Sequence, residues 1–233
     1  MDHIKTKLSI ICPTFNEASR LPLLLADINL WPHEIDLQVV DCGSKDKTQL
    51  IARLFGANVL QTNTPNRGKQ LNVGEKNSGG DWLLFLHADS RLSPKWPTVL
   101  IGLMNIKSSC NYAWYFDFKI NERRADLRLL EIAVNLRSSF MQRPYGDQGL
   151  FISKDLYRKS GGYSDLHIME DLDLITRLSK NTKLKRIGIP IYTDSRKWKK
   201  VNAIKQSIKN ANFRSRWMRG ESSESLAKEY YEN

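Results

Sequence analysis

Apolar residues follow two rhythms along the first ninety positions of the chain. Residues 7–13 (KLSIICP), 35–41 (IDLQVVD), 57–62 (ANVLQT) and 82–86 (WLLFL) are short, nearly continuous apolar runs of strand length. Between them, Leu21, Leu24, Leu25 and Ile28 recur at helical spacing, as do Leu50, Ile51 and Leu54, and residues 66–80 hold a Gly-containing loop and a short helix. Ser44 is placed to cap the second of these helices and Gly56 to stop it. The β-α-β-α-β-α-β order predicts an α/β fold, with a mainly parallel sheet and helices on both faces.

The second half changes rhythm. Residues 111–120 (NYAWYFDFKI) alternate, as in a strand of an antiparallel sheet. A helix is expected over 123–141, with Leu129, Ile132, Leu136 and Phe140 on one face. A strand over 149–153, a helix over 169–180 with Leu172, Ile175 and Leu178 inward, and a strand over 185–193 follow. Residues 200–219 predict a last helix, with Val201, Ile204, Ile208 and Ala211 on one face and Lys205, Lys209 and Arg216 on another.

Composition narrows the class. The chain has 233 residues, of which 41% are hydrophobic, enough for one large domain with a real core. No apolar stretch approaches the roughly 18–20 residues of a membrane span, and the N-terminal residues lack the apolar region of a signal peptide. A cytoplasmic protein is expected. Cys12, Cys42 and Cys110 are odd in number and have no CxxC spacing, which argues against a disulfide framework or a zinc site.

The net charge of +11 is local. Residues 183–220 hold twelve Lys/Arg and one acid, Asp194, so the rest of the chain is near neutral. Such a segment suits phosphates or an anionic surface. Phe213 and Trp217, set among Lys205, Lys209, Arg214, Arg216 and Arg219, would suit peripheral contact with an anionic membrane; the ordinary alternative is a solvated helix packed on the rest of the domain. Nucleic acid is not an expected partner, because no recognised binding module is visible.

Polar residues gather after the strands: Thr14, Asn16 and Glu17 after the first, Asp41 and Ser44 after the second, His87 and Asp89 after the fourth. In open α/β sheets, ligands bind beyond these carboxyl ends. The segments SIICPTFNE (9–17), VVDCGSKDKT (39–48), RGKQLNVG (67–74), FLHADSRL (85–92) and MEDLDL (169–174) occur in the order seen in family 2 nucleotide-sugar glycosyltransferases, which the chain resembles over most of its length. The variants HADS, PYGDQGLFIS and DSRKW are similar to a bacterial subgroup labelled arsenosugar-biosynthesis glycosyltransferases.

The resemblance implies the GT-A fold. It implies one catalytic domain over residues 1–199, with a nucleotide-binding half (1–92) and an acceptor-binding half (93–199), followed by a basic helical extension over 200–233. The implied reaction is inverting transfer of a sugar from a nucleotide-diphospho-sugar, with a UDP-sugar favoured, to a hydroxyl of an unknown acceptor. Pro13, Thr14, Asn16 and Glu17 would form the base and ribose pocket, with Pro13 turning the backbone outward. Asp41 would accept from the imide N–H of the base; the ordinary alternative is an Asx turn before Gly43. Arg67 and Lys69 would meet the diphosphate, with Asn72 one helical turn beyond Gly68.

Transferases of this fold commonly hold Mn²⁺ or Mg²⁺ in a D-x-D motif. Here the motif reads His87-Ala88-Asp89, so Asp89 is the expected ligand of a divalent metal. His87, with Ala88 beside it, would assist the metal or the nucleotide. Asp171, next to Glu170 at a helix start, matches the family's base. Asp173 should face away from it. Asp147 and Gln148 are candidates for the acceptor side, and Arg196 and Trp198 for a closing segment over it.

Two rivals remain. A nucleotidyltransferase would want a longer Gly/Arg-rich loop after the first strand, which PTFNEASR does not supply. A non-catalytic sugar-nucleotide or membrane-surface binding protein is favoured by the missing first carboxylate and opposed by the Glu170-Asp171 pair.

Overall fold

The computed structural model describes residues 7–63, 65–122, 124–194 and 203–232. Its central strand, β1 (Leu8–Thr14), pairs in parallel with β2 (Ile35–Asp41) on one side and β4 (Trp82–Phe85) on the other. Strand alternation decides what each face meets. Leu8, Ile10 and Cys12 join the core under α1 (Leu21–Ile28), whose predicted apolar face is fully buried. Ile11 points to the other face, towards α3 (Arg67–Lys76).

The eight-stranded sheet has the order β3 (Asn58–Gln61), β2, β1, β4, β7 (Leu150–Ser153), β6 (Ala113–Ile120), β8 (Leu184–Thr193), β5 (Ser90–Leu92). Neighbours are parallel from β3 to β4 and between β6 and β8; β7 is antiparallel to both β4 and β6, and β5 to β8. One face carries α1, α2 (Thr48–Leu54) and α4 (Trp96–Met104), while α3, α6 (Lys154–Lys159) and α7 (Glu170–Asn181) cover the other. The mainly parallel α/β layering matches the sequence reading; β5, α4, α6 and the terminal α9 (Ser223–Glu232) were not foreseen. No helix among the described residues is long and apolar enough to cross a membrane.

Several apolar faces lie elsewhere than periodicity predicts. In α2, Leu50 and Leu54 are exposed while Thr48 and Ala52 are buried. Ser44 does not cap this helix: its hydroxyl binds Asp41, and the first-turn amide of Thr48 donates to Asp46 instead. In α8 (Ala203–Met218), Ile208 and Ala211 are exposed, and the buried anchor is Phe213. Phe213 packs with Ile168, Leu226 and Ala227, with Trp217 against them, so these aromatics follow the packed-helix alternative and not an outward membrane face. Arg216 is likewise engaged, by Glu221 and Glu229. Val201 lies outside the described residues.

The largest inversion is α5 (Ala125–Met141), whose predicted apolar face points to solvent. The cause lies in β6. Strand β7 pairs with only Ala113 and Trp114, which leaves the rest of that β6 edge without a strand partner. Polar side chains take its place. The Asn135 amide accepts from the Phe118 N–H (2.9 Å) and donates to its C=O (3.1 Å). Glu131 accepts from the Ile120 N–H at 2.7 Å. The face of α5 that serves β6 is therefore partly polar, around Leu127 and Val134.

Gly68 fixes how α3 meets the second half. A Cβ there would lie 2.1 Å from the Ser164 carbonyl oxygen and 3.0 Å from the Leu166 nitrogen, both backbone atoms. Gly68→Ala should destabilise the fold by about 1–3 kcal/mol, read as a lower urea midpoint at unchanged slope. An unaltered midpoint would refute this close contact.

Candidate active site

The carboxyl ends of β1 and β2 carry loops stitched to each other. The Asn16 N–H donates to Ser44 Oγ (2.7 Å), the Lys45 N–H to Asn16 Oδ1 (2.8 Å), and the Glu17 N–H to Thr48 Oγ1 (2.8 Å). Asn16 adopts φ of +54°, a left-handed turn that asparagine tolerates. Beneath them, buried Gln70 donates from Nε2 to the carbonyls of both Thr14 (3.1 Å) and Val40 (2.7 Å). Pro13 is half-buried, Thr14 buried, and the Glu17 carboxylate pairs with Arg20 at 2.6 Å.

Asp41 is wholly buried and accepts five hydrogen bonds, from Thr14 Oγ1, the Gly43 and Ser44 amides, Ser44 Oγ and Gln49 Nε2. Its carboxylate is spent on the turn, so a ligand could reach it only by displacing one of these donors. Asn72 is also committed to the scaffold: its Nδ2 donates to the Tyr163 carbonyl at 2.6 Å. Lys69 is exposed and does not line the cleft described below.

Beyond β4 the chain continues through His87, Ala88 and Asp89. Ala88 is buried; His87 and Asp89 are half-buried. On the other side of the cleft α7 begins at Glu170, after Met169 in a left-handed conformation (φ +67°), a strained geometry for a residue with a side chain. Asp171, in the first turn of α7, accepts from the Gly146 N–H at 2.8 Å. A Cβ on Gly146 would lie 2.9 Å from His87 Nε2 and 3.4 Å from Asp171 Oδ2, so these three groups meet where no side chain fits.

The cleft they share has a volume of about 420 Å³. Arg67, His87, Asp147, Glu170 and Asp171 line it, with apolar walls from Phe118, Ile168 and Leu172. The C-terminal helices close it with Gln206, Asn210, Phe213, Arg214 and Tyr230, so residues expected to form an extension complete the wall. Two guanidinium groups approach the Tyr145 ring, Arg137 at 3.8 Å and Arg214 at 5.2 Å from its centroid. Arg137 Nη2 is buried without a hydrogen-bond partner among the described residues.

Gln148 departs from the acceptor-side expectation. It is fully buried, accepting from Ser138 Oγ (2.6 Å) and donating to the Phe116 carbonyl (3.1 Å), so it braces β6 and α5. Asp173 turns away as expected, to Arg177 and Ser164. Arg196 and Trp198 lie outside the described residues. Gly146, Gln70, Arg137 and Tyr145 escaped the sequence reading; the glycine in RPYGDQG was its one available signal.

The metal expectation can be tested against the donor set. No group of three or more His, Cys, Asp or Glu side chains able to hold a metal occurs among the described residues. Asp89, however, makes no hydrogen bond or ion pair among them. One open carboxylate fits a hard cation that takes its remaining ligands from a phosphate-bearing molecule, the usual manner of Mg²⁺.

Glu170 is buried, and burial raises its pKa from 4.5 to about 7, with Asp171 adding to the rise and Arg67, 3.4 Å away, opposing it. The folded chain therefore holds a proton at pH values where the unfolded chain has lost it, and stability falls as pH climbs through that window. The Tm difference, wild type minus Glu170→Gln, should become more negative between about pH 5 and about pH 8. A difference that stays constant with pH would contradict the raised pKa.

The profile described as Glycosyl transferase family 2 matches residues 9–158. An uncharacterized glycosyltransferase of Haemophilus influenzae is 28% identical over 183 residues, covering 73% of this chain and 61% of that protein. This chain thus spans less than two thirds of that relative's length. Among solved structures, the fold is similar to S. aureus TarS 1–349 in complex with UDP-GlcNAc, with a TM-score of 0.65 and 17% identity over 82% of this chain and 59% of that one. It is also similar to glucosyl-3-phosphoglycerate synthase from Mycobacterium tuberculosis in complex with Mn²⁺, UDP and phosphoglyceric acid, with a TM-score of 0.56 and 20% identity over 79% and 70% of the two chains. The expected GT-A arrangement is the one these structures share with it. With a match running from β1 into α6, more than half of its length, the chain belongs to glycosyl transferase family 2.

Proposed function

We propose that this protein transfers a sugar from a nucleotide-diphospho-sugar, a UDP-sugar by preference, to an acceptor hydroxyl with inversion at the anomeric carbon. The observation that carries the reading is the meeting of Asp171 with His87 across Gly146, in a cleft at the carboxyl edge of the sheet. The UDP-GlcNAc and UDP–Mn²⁺ complexes of the two similar structures support this type of donor.

On this reading the base and ribose lie on the stitched rim formed by Pro13, Thr14, Asn16 and Glu17, with Asp41 supporting the rim from below. Asp89 would hold Mn²⁺ or Mg²⁺, which when bound neutralises charge on the diphosphate; His87 and Ala88 border that position. Arg67, already on the cleft wall, faces the same charge. Arg67 also lies 3.4 Å from Glu170, which helps fix its guanidinium on that wall.

The acceptor enters on the side of Tyr145, Asp147 and Arg214. Asp171 takes the proton of its hydroxyl as the oxygen attacks the anomeric carbon. The bond from that carbon to the diphosphate oxygen breaks, and its electron pair leaves with the nucleoside diphosphate. Attack and departure on opposite faces invert the centre. The Gly146 N–H keeps the Asp171 carboxylate oriented throughout.

Asp171→Asn should cut turnover by about 10²–10⁴-fold while UDP binding, measured by calorimetry, stays close to that of the wild type. Near-normal turnover in this variant would rule out Asp171 as the base. Asp89→Ala should abolish the part of UDP affinity that depends on added Mn²⁺. Equal Mn²⁺ enhancement in variant and wild type would remove Asp89 from the metal.

A further inference from the structure

The outward face of α5 is unusual for a surface helix. Ala125, Leu129, Ile132, Ala133, Leu136 and Phe140 form one exposed stripe, and all six are apolar. Leu129 is 69% exposed, Ile132 56%, Leu136 51% and Phe140 82%. The helix has 17 residues, so the stripe runs along about 25 Å. Contiguous apolar surface of this kind marks an interaction site, because exposing it to water is costly.

We infer that this face docks on a bilayer containing anionic phospholipid. Charge selects that occupant. Helix α8 packs along α5 and carries Lys205 and Lys209 besides the engaged Arg214 and Arg216, with no acid in its length. The chain as a whole carries +11, so a second copy would face like charge, whereas an anionic headgroup layer faces its opposite. An apolar stripe on a helix packed against a basic one suits a protein lying on the plane of a membrane interface.

Position adds a second argument. The stripe ends at Phe140, with Met141 also 58% exposed, and residues 142–147 lead from there into the cleft at Tyr145 and Asp147. A bilayer under α5 would therefore lie next to the cleft wall built from Tyr145, and an amphiphile held in its headgroup layer would be close to that wall.

The test is co-sedimentation of the full chain with vesicles of phosphatidylcholine, with and without phosphatidylglycerol, and it needs no transferase activity. Wild type should sediment with the anionic vesicles at least about tenfold more strongly than with neutral ones. The triple variant Ile132→Ser, Leu136→Ser, Phe140→Ser should lose that binding while keeping its Tm, since all three side chains are more than half exposed. The single variant Phe140→Asp should weaken binding in the same direction, which guards against a folding defect in the triple variant. Absent or charge-independent sedimentation of wild type, or unimpaired sedimentation of the variants, would overturn the inference. So would a wild-type dimer, seen by analytical ultracentrifugation without vesicle binding, that the triple variant splits; that result would assign the stripe to a second copy.

Discussion

The backbone amide of Gly146 ties the turn before β7 to α7 at the cleft, and the sheet topology puts it there. Because β7 runs antiparallel to β4, Leu150 at the start of β7 pairs with Phe85 at the end of β4. The turn before β7, Gly146–Gln148, is thereby delivered to the residues after β4. Gly146 can then offer its N–H to Asp171 while leaving room for His87, because it has no side chain to interpose. A charge-assisted bond of this type contributes about 1.5–3 kcal/mol, but its larger effect is geometric. It holds the pre-β7 turn and the start of α7, far apart in sequence, in one place, with His87 beside them.

The electrostatics of the cleft follow from that crowding. Two carboxylates open α7, where the helix dipole favours negative charge, yet one is sealed from water and the other is half-open. The sealed one, Glu170, keeps its proton up to about pH 7 and leans on Arg67. Met169 accepts a strained backbone so that the helix can begin at this point. Adjacent carboxylates in different surroundings thus differ in charge, the closed one holding its proton to higher pH.

Strand and helix order was legible because buried strands and helices such as α1 and α7 obey simple periods: Leu21, Leu24, Leu25 and Ile28 are buried, as are Leu172, Ile175 and Leu178. Periodicity failed where a helix serves backbone groups instead of side chains. Leu129 to Phe140 look like a core face in the sequence, and only the vacant edge of β6 explains why Asn135 and Glu131 occupy the inside. The site was legible as a set of polar strand ends. Which of them stay open was not, since Asp41 and Asn72 are consumed by partners that only the fold brings near. Gln148 misled for the same reason, and Gln70 was passed over because an amide inside a helix gives no sign that it spans two strands.

That amide has a consequence for recognition. By fastening carbonyls at the ends of neighbouring strands from beneath, Gln70 joins the two loops above them into a single ledge, further tied by Asn16, Ser44 and Thr48. A molecule arriving there meets a surface whose ordering entropy was already settled when the chain folded, so little of its contact energy is diverted to arranging the loops. On the proposed reading, with base and ribose on this ledge, selectivity would rest on shape fixed in advance.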